Sequence, residues 1–191
     1  MKNPGHRLGA SGTILENTLE GLRGSIQVAS EPNFRYWEFD IRESSDGVLF
    51  VFHDDEIDVN GTMFETRKMR FSDIEEAGRE NGIRIPTFRE VATELEGREE
   101  PVIVEIKQIA SDKARTEVIN TLSAKRRWKV MATPERFEEI FPPESRDKWR
   151  AEFDEAKVNV VRVGRHRVDL FVASRTKLGW IFAGPRWFFG L

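Results

Sequence analysis

The chain has 191 residues, enough for one domain with a sizeable core, and a net charge of −3 that argues against an electrostatic nucleic-acid binder. Hydrophobic residues at 39%, charged residues at 33% and a mean hydropathy of −0.51 describe a soluble chain. No apolar run approaches the roughly 20 residues needed to span a bilayer, and the lack of cysteine excludes disulfides and thiolate chemistry.

Met1 to His6 lacks the apolar centre of a signal peptide, which predicts a cytoplasmic protein. After His6-Arg7, the Gly-Ala-Ser-Gly stretch at 9–12 has no Walker lysine behind it and reads as a turn. Glu16-Asn17-Thr18 then opens the periodic run Leu19, Leu22, Ile26, with Asn17 or Thr18 as the N-cap of a helix. A strand follows that closes on Glu38-Phe39-Asp40. Alternation places both carboxylates on one face and Phe39 on the other.

Asp46-Gly47 reads as a turn, and the apolar run 48–52 ends abruptly at His53-Asp54. A tight hairpin pairing Ser44 with Gly47 would set His53 opposite Glu38. A return into a parallel strand would instead end both groups at one sheet edge, so the two are expected near each other either way. Ile85-Pro86-Thr87 precedes a helical pattern through Val91 and Leu95, and a strand from Pro101 ends in Glu105-Ile106-Lys107. Beyond it the pattern predicts a helix over 111–127, a strand over 129–132 and a helix starting at Pro134. Pro142-Pro143 interrupts before a helix over 144–156, and strands follow at 158–163, 168–173 and 180–183 with almost no room for helices between them.

Taken singly, these pieces have ordinary readings. Glu38 and Asp40 suit a solvated edge strand, His53 a satisfied core histidine, and Glu105 with Lys107 a strand-end ion pair of little worth. His166 lies in the basic segment 162–167 and reads as a surface residue on a solvated face.

Taken in order, they carry more. His6-Arg7, Glu16-Asn17-Thr18, Glu38-x-Asp40, Asp46-Gly47, His53-Asp54, Ile85-Pro86-Thr87 and Glu105-Ile106-Lys107 together resemble the glycerophosphodiester phosphodiesterases over residues 4 to 107. The resemblance implies a TIM-type β/α barrel that hydrolyses phosphodiesters with a divalent metal. It implies Glu38, Asp40 and Glu105 as metal ligands, His6 and His53 as general acid and base, and Arg7 and Lys107 as phosphate-binding cations. Physical chemistry is consistent with those roles. Three carboxylates form a hard oxygen site that suits Mg²⁺ or Ca²⁺ better than zinc. Fixed cations offset the charge that develops on a phosphodiester during displacement, and histidine titrates in the range that proton transfer requires.

The chain departs from the family at several points. Leu8 stands where glycine is usual, Leu15 where proline is usual, and the spacing from His6 to Glu16 is one residue longer. Past Lys107 no counterpart of the family's serine-phenylalanine strand is found, and Trp180 only weakly matches its last aromatic strand. An eight-stranded barrel typically takes about 250 residues. The expected fold is therefore one domain over 1–191, a TIM-type β/α barrel shortened or incompletely closed in its C-terminal half. The expected activity is metal-dependent hydrolysis of a small glycerophosphodiester to glycerol phosphate and an alcohol. The alternatives are a phospholipase-D-like lysolipid reaction that forms a cyclic phosphate, and a non-catalytic binding protein on a shortened barrel. Finally, Trp180, Phe182, Trp187, Phe188 and Phe189 crowd the C-terminus. They either close the barrel as a last strand or form an orphaned strand that self-associates.

Overall fold

Alternating and apolar runs in the front half organise a sheet whose two faces carry different chemistry. The computed structural model describes residues 3–123, 125–158 and 160–162. Its elements are α1 (Leu19–Gly24), β1 (Trp37–Glu43), β2 (Leu49–Val51), β3 (Glu56–Val59), β4 (Thr62–Glu65), α2 (Phe71–Glu80), α3 (Phe88–Glu94) and β5 (Val102–Gln108). There follow α4 (Asp112–Leu122), β6 (Trp128–Ala132), α5 (Pro134–Ile140), α6 (Arg146–Glu155) and β7 (Val160–Arg162).

Five strands form one sheet in the order β2-β1-β5-β6-β7. The last four in that order run parallel and β2 runs antiparallel to β1. Parallel neighbours need long crossovers, and α3, α4 and the α5–α6 pair lie in them. This is the β/α repeat of a TIM-type barrel. Among the described residues the sheet does not close on itself, as expected of a shortened or incomplete barrel.

Every residue of β1 is buried, the mark of a strand covered on both sides. Trp37, Phe39 and Ile41 face one way, where they join Val104, Ile106, Val130, Phe88, Val91 and Trp149 in the main core. Glu38, Asp40 and Arg42 alternate onto the other face. A smaller core of Phe50, Ile57, Ile74, Ala77 and Ile85 ties the hairpin β3–β4 and α2 to β2. The hairpin turns at Asn60-Gly61, both with positive φ (53° and 83°), as a two-residue turn requires.

Local chemistry sets the element ends. Thr18 caps α1, its Oγ1 accepting from the Gly21 N–H at 3.0 Å. The helix stops at Gly24, so Ile26 falls in a 3-10 turn (Ile26–Ser30) and not in the helix. Thr87 caps α3 with Glu90 reaching back to the Thr87 N–H at 2.8 Å, and Pro134 opens α5. α4 ends at Leu122, short of the expected 127. Its buried stripe Ala114, Val118, Leu122 is exhausted there, and the basic run that follows offers the core nothing. The expected strands at 168–173 and 180–183, the aromatic tail and His166 lie outside the described residues.

The hairpin around Asp46-Gly47 forms, with a different register from the tight one. Ile41 pairs with Val51 and Glu43 with Leu49, so three residues, 45–47, make the loop. Gly47 takes φ 75°, the left-handed position of such a loop. Phe52 thus falls opposite Asp40, donating its N–H to the Asp40 carbonyl at 3.1 Å. β2 ends at Val51 and the chain bends at His53, so strand parity no longer governs where that imidazole points.

Candidate active site

The site is built from the polar row of β1. Glu38, Asp40 and Glu105 each offer a carboxylate oxygen within 4.8 Å of one another, and all three are buried. Asp40 and Glu105 are register partners on adjacent parallel strands, which is why they meet. The register then shifts after Ile41, pairing Arg42 with Gln108 and leaving Lys107 as the extra residue of a bulge. Lys107 Nζ lies 2.5 Å from Glu105 Oε1 and 3.2 Å from Asp40 Oδ1.

The segment 5–8 runs along the other edge of β1. Glu38 donates its N–H to Gly5 and accepts the Leu8 N–H at its carbonyl. Arg7 N–H donates to Glu38 Oε2 at 2.9 Å, and His6 Nε2 stands 3.5 Å from the same oxygen. His6 Nδ1 is 2.8 Å from Ser11 Oγ, which orients the ring. This approach uses three successive left-handed residues, Arg7, Leu8 and Gly9 (φ 50°, 58° and 81°). Leu8, in the place of the usual glycine, holds that conformation at a cost of roughly 1–2 kcal/mol. Its side chain is fully buried in the main core, which offsets the strain.

Arg7 Nη1 meets Glu16 Oε1 at 2.5 Å, and its Nε lies 3.9 Å from Asp40 Oδ2. Asn17 is the residue whose role the sequence did not reveal. Held at φ 60°, it donates Nδ2–H to Asp40 Oδ2 at 2.8 Å and accepts the Asp40 N–H at its Oδ1 at 3.3 Å. Asp40 is therefore gripped at backbone and carboxylate by one side chain. Its place in Glu16-Asn17-Thr18 offered Asn17 or Thr18 as the helix cap; Thr18 is the cap, which frees Asn17 for Asp40.

Glu38 bears the electrostatic burden. Burial pushes its carboxyl well above the usual range, Asp40 and Glu105 push it further, and the Arg7 N–H and Lys107 pull it back. Its Oε1 is buried with no hydrogen-bond partner among the described residues. An orphaned carboxylate oxygen inside an all-oxygen donor set fits a hard divalent cation, which satisfies the lone pairs and offsets the crowded negative charge.

The structure thus brings together six of the seven expected residues: Glu38, Asp40, Glu105, His6, Arg7 and Lys107. His53 stands on the turn beyond β2, its Nδ1 2.7 Å from Asp54 Oδ1 and its carbonyl accepting two N–H groups of Arg42. Among the described residues no helix is long and apolar enough to cross a membrane.

The model of the glycerophosphoryl diester phosphodiesterase family matches residues 6–167. Among solved structures, a glycerophosphodiester phosphodiesterase from Thermotoga maritima is 21% identical, with a TM-score of 0.52 over 91% of this chain and 68% of that one. One from Parabacteroides distasonis is 17% identical, with a TM-score of 0.55 over 95% and 76%. A proposed glycerophosphoryl diester phosphodiesterase from Silicibacter pomeroyi is 18% identical, with a TM-score of 0.60 over 83% of this chain and 63% of that one. This chain therefore spans just under two thirds of the Silicibacter pomeroyi protein. No curated protein matches the sequence at a significant level. The structural likenesses agree with a TIM-type β/α fold, and the family match covers most of the sequence. The chain belongs to the glycerophosphoryl diester phosphodiesterase family.

Proposed function

We propose that this chain is a single-domain hydrolase that cleaves glycerophosphodiesters to glycerol phosphate and an alcohol. The observation that carries the proposal is the buried carboxylate cluster Glu38, Asp40 and Glu105, with the orphaned Glu38 Oε1 at its centre and His6, Arg7 and Lys107 around it. The family generally binds a divalent metal, and this donor set favours Mg²⁺ or Ca²⁺. Bound there, the cation would supply Lewis-acid stabilisation of a phosphate oxygen.

The chain's own groups do the rest. Arg7, whose Nε makes no hydrogen bond among the described residues and only a 3.9 Å approach to Asp40, offers a fixed cation to a non-bridging oxygen. Lys107 now serves as counter-ion to Asp40 and Glu105, and the same charge takes a phosphate oxygen once those carboxylates are otherwise neutralised. His6 and His53 move the protons, one at the attacking group and one at the leaving oxygen. Asp54 holds the His53 ring at Nδ1, which leaves Nε2 as the nitrogen to exchange the proton.

Purified protein assayed against a panel of glycerophosphodiesters, with Mg²⁺, Ca²⁺ or a chelator, tests the proposal. Metal-dependent release of glycerol phosphate is expected. A cyclic phosphate product would transfer the site to the lysolipid reaction, and no turnover with either metal would make it a binding protein.

A further inference from the structure

His53 presents a mechanical problem. The ladder between β1 and β2 ends at Ile41 and Val51, and the last bond beyond it joins Phe52 to Asp40. A proton-transferring imidazole has to be held within a few tenths of an ångström, yet His53 sits on a bend past the last strand pair.

Arg42 occupies the gap. It follows Glu38 and Asp40 in the polar row of β1, and its side chain is only 4% exposed. Nε and Nη2 both donate to the His53 carbonyl, at 3.2 and 2.7 Å. Nη1 donates to Asp55 Oδ1 at 2.8 Å, and Arg136 from the first turn of α5 reaches the same oxygen at 3.1 Å. The residues on both sides of Asp54 are thus clamped, and Asp54 itself holds the imidazole at Nδ1.

We infer that Arg42 is a positioning residue for His53, acting through the backbone of the 53–55 turn; this rests on the acid–base role proposed for His53. Three features support it. The planar fork is the side chain that can place two N–H groups on one carbonyl and a third on a carboxylate, which lysine cannot reproduce. Burying a guanidinium is unfavourable unless its acceptors stay in place, so the cation and the turn enforce each other's geometry. An apolar residue would fill the same space without that penalty, but would leave the His53 carbonyl with nothing in place of the missing ladder.

The test uses Arg42→Lys, which keeps the charge and removes the fork. The chain has three histidines, so the His53 imidazole signals in a nitrogen–proton NMR spectrum are identified by their loss in His53→Gln. In Arg42→Lys the His53 signals are expected to shift, while Mg²⁺ binding measured by calorimetry stays within about threefold, the range expected when no ligand or ligand support is touched. In turnover, kcat is expected to fall about tenfold to a hundredfold with little change in KM, the pattern of a displaced supporting contact. Unmoved His53 signals with kcat near that of the parent would overturn the inference. Should Arg42→Lys fail to fold, Asp55→Asn weakens the same grip and should shift the same signals by less; no shift there would overturn it equally. Absence of metal-dependent turnover in the parent would instead overturn the phosphodiesterase reading, and the NMR comparison still decides whether Arg42 sets the position of His53.

Discussion

Glu38→Gln separates the electrostatic cost of the carboxylate cluster from its packing. Glutamine has nearly the same size and does not titrate, so parent and variant differ mainly in one buried charge. Burial first, and Asp40 next, hold the Glu38 carboxyl well above the usual range in the folded protein. The folded state therefore keeps a proton that the unfolded chain releases near its ordinary value of about 4.3. The sign follows directly. The carboxyl's contribution is full below the unfolded value and is lost as pH rises through the folded one. Within that window stability changes by about 1.4 kcal/mol per pH unit, the worth of one proton. In chelator, urea unfolding at steps of pH from about 5 to 8 should show the variant gaining on the parent at that slope until the folded value is passed. Magnesium should narrow the variant's lead. At a hundredfold excess over its dissociation constant, a ligand that binds only the folded state adds about 2.7 kcal/mol, and the variant, short of one ligand, should gain less. Parent and variant curves that run parallel in chelator across this range would refute the reasoning, because Glu38 would then be ionised throughout despite its burial.

Other perturbations follow from the same geometry. His53→Ala should lower turnover about 10²-fold or more, the scale of one proton-transfer group, whereas His166→Ala should match the parent in the same assay. Asn17→Gly tolerates the left-handed backbone but removes both bonds to Asp40. It should weaken metal binding by about 10- to 100-fold in calorimetry, and undiminished affinity would show that Asp40 needs no such support. Phe39→Ala, on the opposite face of the same strand, should destabilise the fold by about 3–5 kcal/mol in urea while a bound metal remains detectable by calorimetry.

Elements governed by neighbouring residues were legible from the chain. Alternation at Glu38-Phe39-Asp40 located the two faces of β1, and Pro134 located the start of α5, because a strand's pleat and a proline's missing N–H act within a few residues. At Asp46-Gly47 the turn was legible, but neither the antiparallel return nor its register was. Pairing across 44–47 or across 44–48 depends on whether Gly47 joins the strand or the loop, and its φ of 75° puts it in the loop. That single residue moved His53 from opposite Glu38 to a bend beyond the ladder. The hairpin β3–β4 did carry a signal, Asn60-Gly61, which suits a two-residue turn better than almost any other pair.

The site divides along the same line. Its donor atoms could be read because strand alternation and the chemistry of carboxylates and histidines are local, although β1 runs on to Glu43 and does not close at Asp40 as expected. Its supports could not, because Asn17 and Arg42 act across the fold, as does the contact that Lys107, itself expected in the site, makes with Asp40. Asn17 reaches a strand 23 positions away, and Arg42 reaches a turn 11 positions on. Lys107 meets Asp40 where a bulge leaves it out of register. Each support spends a polar group in a buried place, where a mistake of one residue would strand it. That cost makes their agreement informative. Asn17 holds Asp40 from behind, Arg42 holds the turn of His53, and both sit in a single polar layer whose reverse side is Phe39 and Ile41. One strand, β1, therefore couples core packing to site geometry. A change that tilts Phe39 in the core will move Asp40 and Arg42 together, altering the carboxylate cluster and the turn of His53 in step.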